Sequence, residues 1–148
     1  RDAVENSLPA NIAICAAAVA DYCVEKPDQQ QQKSNGGLDI QLTEKPDILH
    51  TIAQHKNRPD FVVGFAAETE HVVKYAKEKR LKKSCDAIVA NKVGDADNPV
   101  FGTDTNSVYW ITQTEEEYYN SLSKSDVADM ITNKVIDHFN VEQKENVA

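Results

Sequence analysis

The chain has 148 residues, a formal net charge of −8 at pH 7 and 41% hydrophobic residues. This length allows one domain with a substantial core, and the acidic balance argues against a general nucleic-acid surface, which needs a basic face. No apolar run approaches the roughly 20 residues of a membrane helix, so we expect neither nucleic acid nor a membrane as a partner. A single nucleotide is compatible with this composition, because a few lysines can form a local positive site.

The three cysteines, Cys15, Cys23 and Cys85, form an odd set without a CxxC pair. This pattern favours free thiols in a reducing compartment, and we predict a cytoplasmic protein. The four histidines show no ligand spacing with an acid, so no metal site is predicted.

The N-terminal segment, residues 1–8, resembles the end of an amphipathic helix. Because the chain begins at Arg1 and not at Met, we expect it to be a fragment of a longer protein.

The first predicted strand covers residues 11–22, an apolar run of small side chains that ends in Asp21 and Tyr22. Such a bounded run is typical of a buried strand, apolar on both faces in a parallel sheet. Ala17 and its alanine neighbours leave the backbone nearly bare, so another molecule could approach it. Asp21 would lie outside the carboxyl end of the strand, where open α/β sheets bind ligands. A packed strand with an ordinary acid at its exit explains the segment equally well.

Residues 23–37 are polar, lack periodicity and predict a mobile flap loop. Residues 38–43 alternate apolar and polar side chains, which predicts a strand with one polar face. A strand of this kind could also lie at the edge of a sheet and pair with a second copy of the protein.

Pro46 and Asp47 are predicted to open a helix, with Asp47 as its cap and with Ile48 and Leu49 in its buried stripe. The free amides of a helix N-terminus suit a phosphate group. The same residues could equally mark no more than a helix start.

A second apolar strand is predicted over residues 61–67, followed by a helix over residues 71–83 with Thr69 as its cap. Lys79 and Lys83 are four apart and would share one helix face. Two ammonium groups on one face would attract a polyphosphate. From the residues alone, a solvated basic face is the favoured interpretation, because charge runs usually serve that role.

A third buried strand is predicted over residues 87–90, before Asn91, and a further strand over residues 107–112. Ser123 and Asp126 form a Ser-x-x-Asp capping box for the last helix. The buried stripe of that helix would consist of Val127, Met130, Ile131, Val135 and Phe139. Strands alternating with helices indicate an α/β layer architecture.

Five segments occur in the order found in the CTP-dependent bacterial phosphopantothenate–cysteine ligase family, which this chain resembles over most of its length. They are residues 17–22, 45–49, 63–69, 86–91 and 101–106. The resemblance implies a Rossmann-like three-layer sandwich with a largely parallel sheet. It also implies one partial ligase domain over residues 1–148, without the Gly-rich half-domain that precedes these segments in the family.

The resemblance implies the reaction as well. The carboxylate of 4′-phosphopantothenate would be activated with CTP to an acyl-cytidylate, and the amine of cysteine would then expel CMP. Mg²⁺ would accompany the triphosphate. FMN would belong only to a decarboxylase domain upstream, and the protein would work as a homodimer with substrate partly across the interface.

The family pattern also implies site residues. Lys79 and Lys83 would hold phosphates, Phe65 would line the cytosine pocket, and Asp21 and Asn91 would bond to the base edge. The remaining nucleotide contacts would come from the backbone at Ala17 and from the segment Pro46, Asp47, Ile48 and Leu49. We expect Asp21, Phe65 and Lys79 to converge on a single pocket.

The chain departs from the family in the flap loop, where glutamines 29–32 replace a lysine-rich motif and Lys33 is the remaining candidate for the catalytic cation. Lys92 also stands where the family commonly has Asp. These departures leave a second hypothesis, a nucleotide-binding remnant without catalysis. A third, another α/β nucleotide enzyme such as a dehydrogenase, is disfavoured because no GxGxxG motif is present.

Overall fold

The structure, a computed structural model, describes residues 1–24, 40–94 and 104–145, with side chains through residue 140. Its elements in chain order are α1 (Asp2–Glu5), β1 (Ile12–Ile14), β2 (Tyr22–Val24), β3 (Leu42–Glu44), α2 (Ile48–Ala53), β4 (Phe61–Glu68), α3 (Val72–Lys83), β5 (Ala87–Lys92), β6 (Thr105–Ile111), β7 (Glu116–Ser123) and α4 (Lys124–Glu145).

A five-stranded sheet in the order β1-β4-β5-β6-β7 forms the centre of the molecule. The β1–β4 and β4–β5 pairs are parallel, whereas β5–β6 and β6–β7 are antiparallel. Four of the five strands therefore run in the same direction. The predicted α/β fold with a largely parallel sheet is confirmed.

Helices cover both faces of this sheet, because alternate side chains of each strand point to opposite faces. On one face, β4, β5 and β6 pack against α4 through a cluster that includes Val63, Val89, Trp110 and Ile131. The other face carries α2 and α3, packed through smaller clusters around Val62 and Ala76. The three layers are thus α4, the sheet, and the α2–α3 pair.

The first predicted strand is wrong in its extent. Only Ile12–Ile14 form β1, an edge strand, and residues 16–21 are exposed and lie outside any strand. Tyr22 already belongs to β2, which pairs with β3 in a separate two-stranded sheet. Alanines bury little apolar area and have low β-propensity, so the run lacks the packing energy that a central strand requires.

Other boundaries also differ from the prediction. The N-cap of α3 is His71, without a side-chain hydrogen bond, and not Thr69. Strand β7 was not predicted, since its tyrosines stand among acids and amides and form only a weak alternating pattern. Strand β3 is exposed at all three residues and ends at Glu44. Of the predicted flap loop, residues 25–37 lie outside the described residues.

The predicted α4 is confirmed in its cap and its buried stripe. The Asp126 amide donates to Ser123 Oγ at 3.0 Å, and the Ser123 amide donates back to Asp126 Oδ2 at 3.3 Å. Met130, Ile131 and Val135 are buried in the core. Across the described ranges, no helix has both the length and the apolar character needed to cross a membrane.

Candidate functional site

Two of the predicted site segments lie side by side. The Lys45 amide donates a hydrogen bond to the Asp21 carbonyl at 2.7 Å, next to the pairing of Tyr22 with Glu44. This hydrogen bond holds Asp21 next to Lys45, which lies two residues before Asp47, the N-cap of α2. The exposed Ala17 lies in the segment between β1 and Asp21.

Asp47 links α2 to α3. Its Oδ1 accepts from the His50 amide at 3.0 Å, which confirms the predicted capping role. Its Oδ2 accepts from the Lys83 ammonium in a short ion pair. Because the cap occupies the His50 amide and α2 has only six residues, the helix N-terminus by itself offers little for a phosphate.

The surroundings of Asp47 keep it ionised. Burial alone would raise the pKa of its carboxyl, but the hydrogen bonds from Lys83 and from the His50 amide, with the nearby positive charges, hold that pKa below its ordinary value. Near neutral pH the carboxylate therefore stays charged, and the ion pair with Lys83 is maintained.

Leu49 fixes the position of α2 on the sheet. A Cβ atom on Gly64 would lie 2.6 Å from Leu49 Cδ2, so only glycine lets the leucine pack this closely on β4. Ile48 and Leu49 are half-buried, whereas Pro46 is exposed.

Lys79 and Lys83 project from the same helix, and each lies near a carboxylate. Lys79 Nζ is 3.9 Å from Glu68 Oε1, a contact longer than a hydrogen bond. The Lys83 side chain is 18% exposed, against 35% for Lys79. Neither carboxylate partner was predicted from the sequence, because no periodicity relates a residue of α3 to a residue of β4 or to the cap of α2.

Phe65 and Asn91 belong to the other face of the sheet. Phe65 pairs in register with Val89, and Ala67 with Asn91, which places both predicted site residues near the carboxyl ends of β4 and β5. Phe65 packs against the α4 core cluster. The sheet thus separates these two residues from Leu49 and the lysines. A pocket shared by Asp21, Phe65 and Lys79 stays a prediction.

An open cleft of about 570 Å³ lies at the N-terminal end of α3, and none of the predicted site residues lines it. Its lining residues are His71, Val72, Val73, Lys74, Lys77 and Tyr109. Lys33 and residues 101–103 of the last family segment lie outside the described residues. In the part of the chain that the structure describes, no three side chains of His, Cys, Asp or Glu form a group that could hold a metal ion.

Comparison with known proteins identifies the family. Residues 1–139 match the family described as DNA/pantothenate metabolism flavoprotein C-terminal domain. The coenzyme A biosynthesis bifunctional protein CoaBC of Haemophilus influenzae is 35% identical over 137 residues, which are 92% of this chain and 34% of that protein. The chain thus spans about one third of the length of this curated relative.

Solved structures agree with the Rossmann-like prediction. The crystal structure of the C-terminal domain of a CoaBC protein superposes with a TM-score of 0.69 at 28% identity, covering 94% of this chain and 60% of that one. A Cab2 mutant in complex with phosphopantothenate-cysteine has a TM-score of 0.63 at 17% identity, covering 90% and 45% of the two chains. At that identity, the second likeness supports the fold alone. The chain belongs to the DNA/pantothenate metabolism flavoprotein C-terminal domain family.

Proposed function

We propose that this domain binds CTP and takes part in joining 4′-phosphopantothenate to cysteine in coenzyme A biosynthesis. The observation that carries the proposal is the family match over residues 1–139, together with the similarity to CoaBC proteins. Asp21, the segment that opens α2, and Lys83 of α3 are linked by hydrogen bonds through Lys45 and Asp47, which supports a nucleotide site there.

The proposed chemistry activates a poor acyl donor. A carboxylate oxygen of 4′-phosphopantothenate attacks the α-phosphorus of CTP, and pyrophosphate leaves. The cysteine amine then attacks the carbonyl carbon of the acyl-cytidylate, and the bond to CMP breaks. A carboxylate needs this step because its oxygen is a poor leaving group until it carries the nucleotide.

In this proposal the residues of this chain bind and orient the nucleotide. Lys79 and Lys83 belong to the phosphate side of the site, where ammonium groups offset phosphate charge. Asp21 accepts from the cytosine amino group, and Asn91 bonds to the base edge beside Phe65. Lys33 is the proposed flap cation.

Mg²⁺ and FMN have different places in this proposal. Mg²⁺ would accompany the triphosphate as its counter-ion. FMN belongs to a decarboxylase domain of the parent protein. The domain is one part of that larger cytoplasmic protein, which we propose to be a homodimer.

A second function has one specific observation in its favour. Glutamines 29–32 stand in the sequence where the family carries a lysine-rich motif, and a neutral amide cannot replace an ammonium group that offsets charge developing on a phosphate. The domain would then bind nucleotide without catalysis. Pyrophosphate release from CTP in the presence of phosphopantothenate distinguishes a catalyst from a binder.

Calorimetric titration tests the nucleotide site. We expect the chain to bind CTP in preference to ATP, GTP and NAD, and Lys79→Ala to weaken CTP binding roughly tenfold, because a charge-assisted contact to phosphate is lost.

Lys77→Ala is the matched control. Lys77 lies on the same helix but pairs with Glu116 at 2.6 Å, so its loss should leave CTP affinity unchanged. Equal affinity for all four nucleotides, or an unaltered affinity in Lys79→Ala, would reject the assigned site.

A further inference from the structure

The cleft between α3 and the hairpin of β6 and β7 has no role in the proposed nucleotide site. Its volume of about 570 Å³ is within the range of small-molecule sites in proteins. The N-terminal half of α3 forms most of its lining, and Tyr109 contributes from β6. Lys77 of α3 pairs with Glu116 of β7 at 2.6 Å, which links the helix to the hairpin beside the cleft.

The cleft lies on the opposite side of α3 from the lysines of the proposed phosphate site. Successive residues of an α-helix are turned by about 100°, so Lys74 and Lys77 face away from Lys79 and Lys83. The ion pairs agree with this geometry, because Lys77 binds a residue of β7 whereas Lys83 binds the cap of α2. A ligand in the cleft would therefore occupy a second site.

The two lysines that line the cleft give it a positive charge, in a chain whose net charge is −8. Glu116 offsets the charge of Lys77 through their ion pair. Lys74 is exposed, and among the described residues it has no ion-pair partner. Its ammonium lies 5.8 Å from the centre of the neighbouring Tyr75 ring. This uncompensated charge favours an anionic ligand.

The rest of the lining is mainly apolar and aromatic. Val72, Val73 and Tyr109 pack against the buried cluster around Ala76. The Tyr109 ring also packs against the ring of Tyr118, with 4.8 Å between the ring centres and a tilt of 39° between the planes. Tyr109 is thus held by the core and by Tyr118, and it offers a fixed aromatic surface to a flat ring.

The geometry points to a second ligand site in this cleft, for a small anion that carries a flat aromatic ring. In this assignment the ring packs against Tyr109 and the two valines, and the anionic group binds the Lys74 ammonium. The site shares no residue with the proposed nucleotide site, so the inference does not depend on the proposed function.

Titration calorimetry with three probes tests the chemistry of the site. Naphthoate carries both the ring and the charge, naphthamide carries the ring alone, and inorganic phosphate carries the charge alone. We expect naphthoate to bind about fivefold more tightly than either, because only naphthoate makes both contacts. If naphthamide or phosphate binds as tightly as naphthoate, the assignment is overturned.

Three variants test the residues. Lys74→Gln should weaken naphthoate binding roughly threefold and leave naphthamide binding unchanged, because one exposed ionic contact is lost. Tyr109→Leu should weaken both naphthyl probes roughly threefold, because the aromatic surface is lost. Lys82→Gln is the matched control, an exposed lysine of α3 that does not line the cleft, and it should bind naphthoate as the wild type does.

Equal naphthoate affinities in Lys74→Gln and Lys82→Gln would reject the site. Circular dichroism shows whether Tyr109→Leu folds. If it does not, the comparison of Lys74→Gln with Lys82→Gln decides alone, since both positions are exposed.

Amide chemical shifts in nuclear magnetic resonance spectra locate the bound probe. Naphthoate should shift the amides of Val72, Val73 and Tyr109 and leave those of Asp47 and Lys83 unchanged. Shifts at Asp47 and Lys83 instead, or only elsewhere in the chain, would overturn the inference. No nucleotide enters these measurements, so a chain that does not bind CTP contradicts the proposed function alone, and the probe results decide the second site alone.

Discussion

At the scale of single residues, Cys85 shows how packing changes the chemistry of a side chain. Its thiol is 3% exposed and would lie 3.5 Å from a Cβ on Gly64, under the contact of Leu49 with β4. Burial raises the pKa of Cys85 to about 11, because a thiolate there would lose its hydration. The thiol therefore stays protonated, and unreactive, well above neutral pH.

This pKa predicts a loss of stability in alkali. The folded state keeps the Cys85 proton to higher pH than the unfolded chain, whose thiol titrates near its ordinary value of 9.0. The stability that the protonated Cys85 thiol contributes to the folded state is fully present below pH 9 and is lost as the pH rises from about 9 through about 11. At pH 10 the loss amounts to roughly 1 kcal/mol. Thermal melts of the wild type and of Cys85→Ala between pH 8 and pH 10.5 measure it.

The variant should lose less stability over that pH range than the wild type does. If Cys85→Ala and the wild type lose the same free energy of unfolding, Cys85 does not titrate as described.

At the scale of elements, the junction of β7 with α4 depends on one serine. Ser123 is the last residue of β7 and caps α4 through the reciprocal hydrogen bonds with Asp126. Further along α4, the Lys134 ammonium forms ion pairs with Glu115 and Glu117, which hold the helix against the hairpin of β6 and β7. The helix is therefore fixed to the sheet at its start and at its middle.

We expect Ser123→Ala to lower the free energy of unfolding by about 1 kcal/mol, because the first turn of α4 loses its side-chain acceptor. Urea denaturation followed by circular dichroism measures the change. Ser125→Ala, at an exposed position in the same turn, should be within about 0.5 kcal/mol of the wild type. Equal stability of the two variants would show that the capping box contributes nothing.

At the scale of the whole molecule, the small two-stranded sheet stands out for its exposed apolar side chains. The two-stranded sheet of β2 and β3 carries Tyr22, Val24 and Leu42, which are 57%, 40% and 60% exposed. Edge strands with exposed apolar side chains tend to pair with another chain. This surface supports the proposed homodimer.

Replacing Val24 and Leu42 with lysine should convert the proposed dimer into a folded monomer, because charged side chains would have to be buried at the interface. Sedimentation velocity measures the oligomeric state, and circular dichroism checks the fold. Leu81→Lys is the matched control, since Leu81 is 68% exposed and belongs to α3, not to β2 or β3. A wild-type chain that sediments as a monomer, or a double variant that stays dimeric, would contradict this assignment.

The sequence by itself determined the elements whose signals are local. The apolar runs of β4 and β5, the Asp47 cap of α2, and the capping box and buried stripe of α4 were all predicted, because each depends on residues within a few positions of one another. The ordered family segments added the fold and the identity of the candidate site residues.

Only the tertiary structure decided the contacts between distant residues. It pairs Lys83 with Asp47, 36 positions earlier, and places Phe65 on the opposite face from Leu49. It also reduced the alanine-rich first strand to three residues at the edge of the sheet. These contacts depend on which surfaces pack together in the folded chain, and a local pattern of neighbouring residues does not specify that packing.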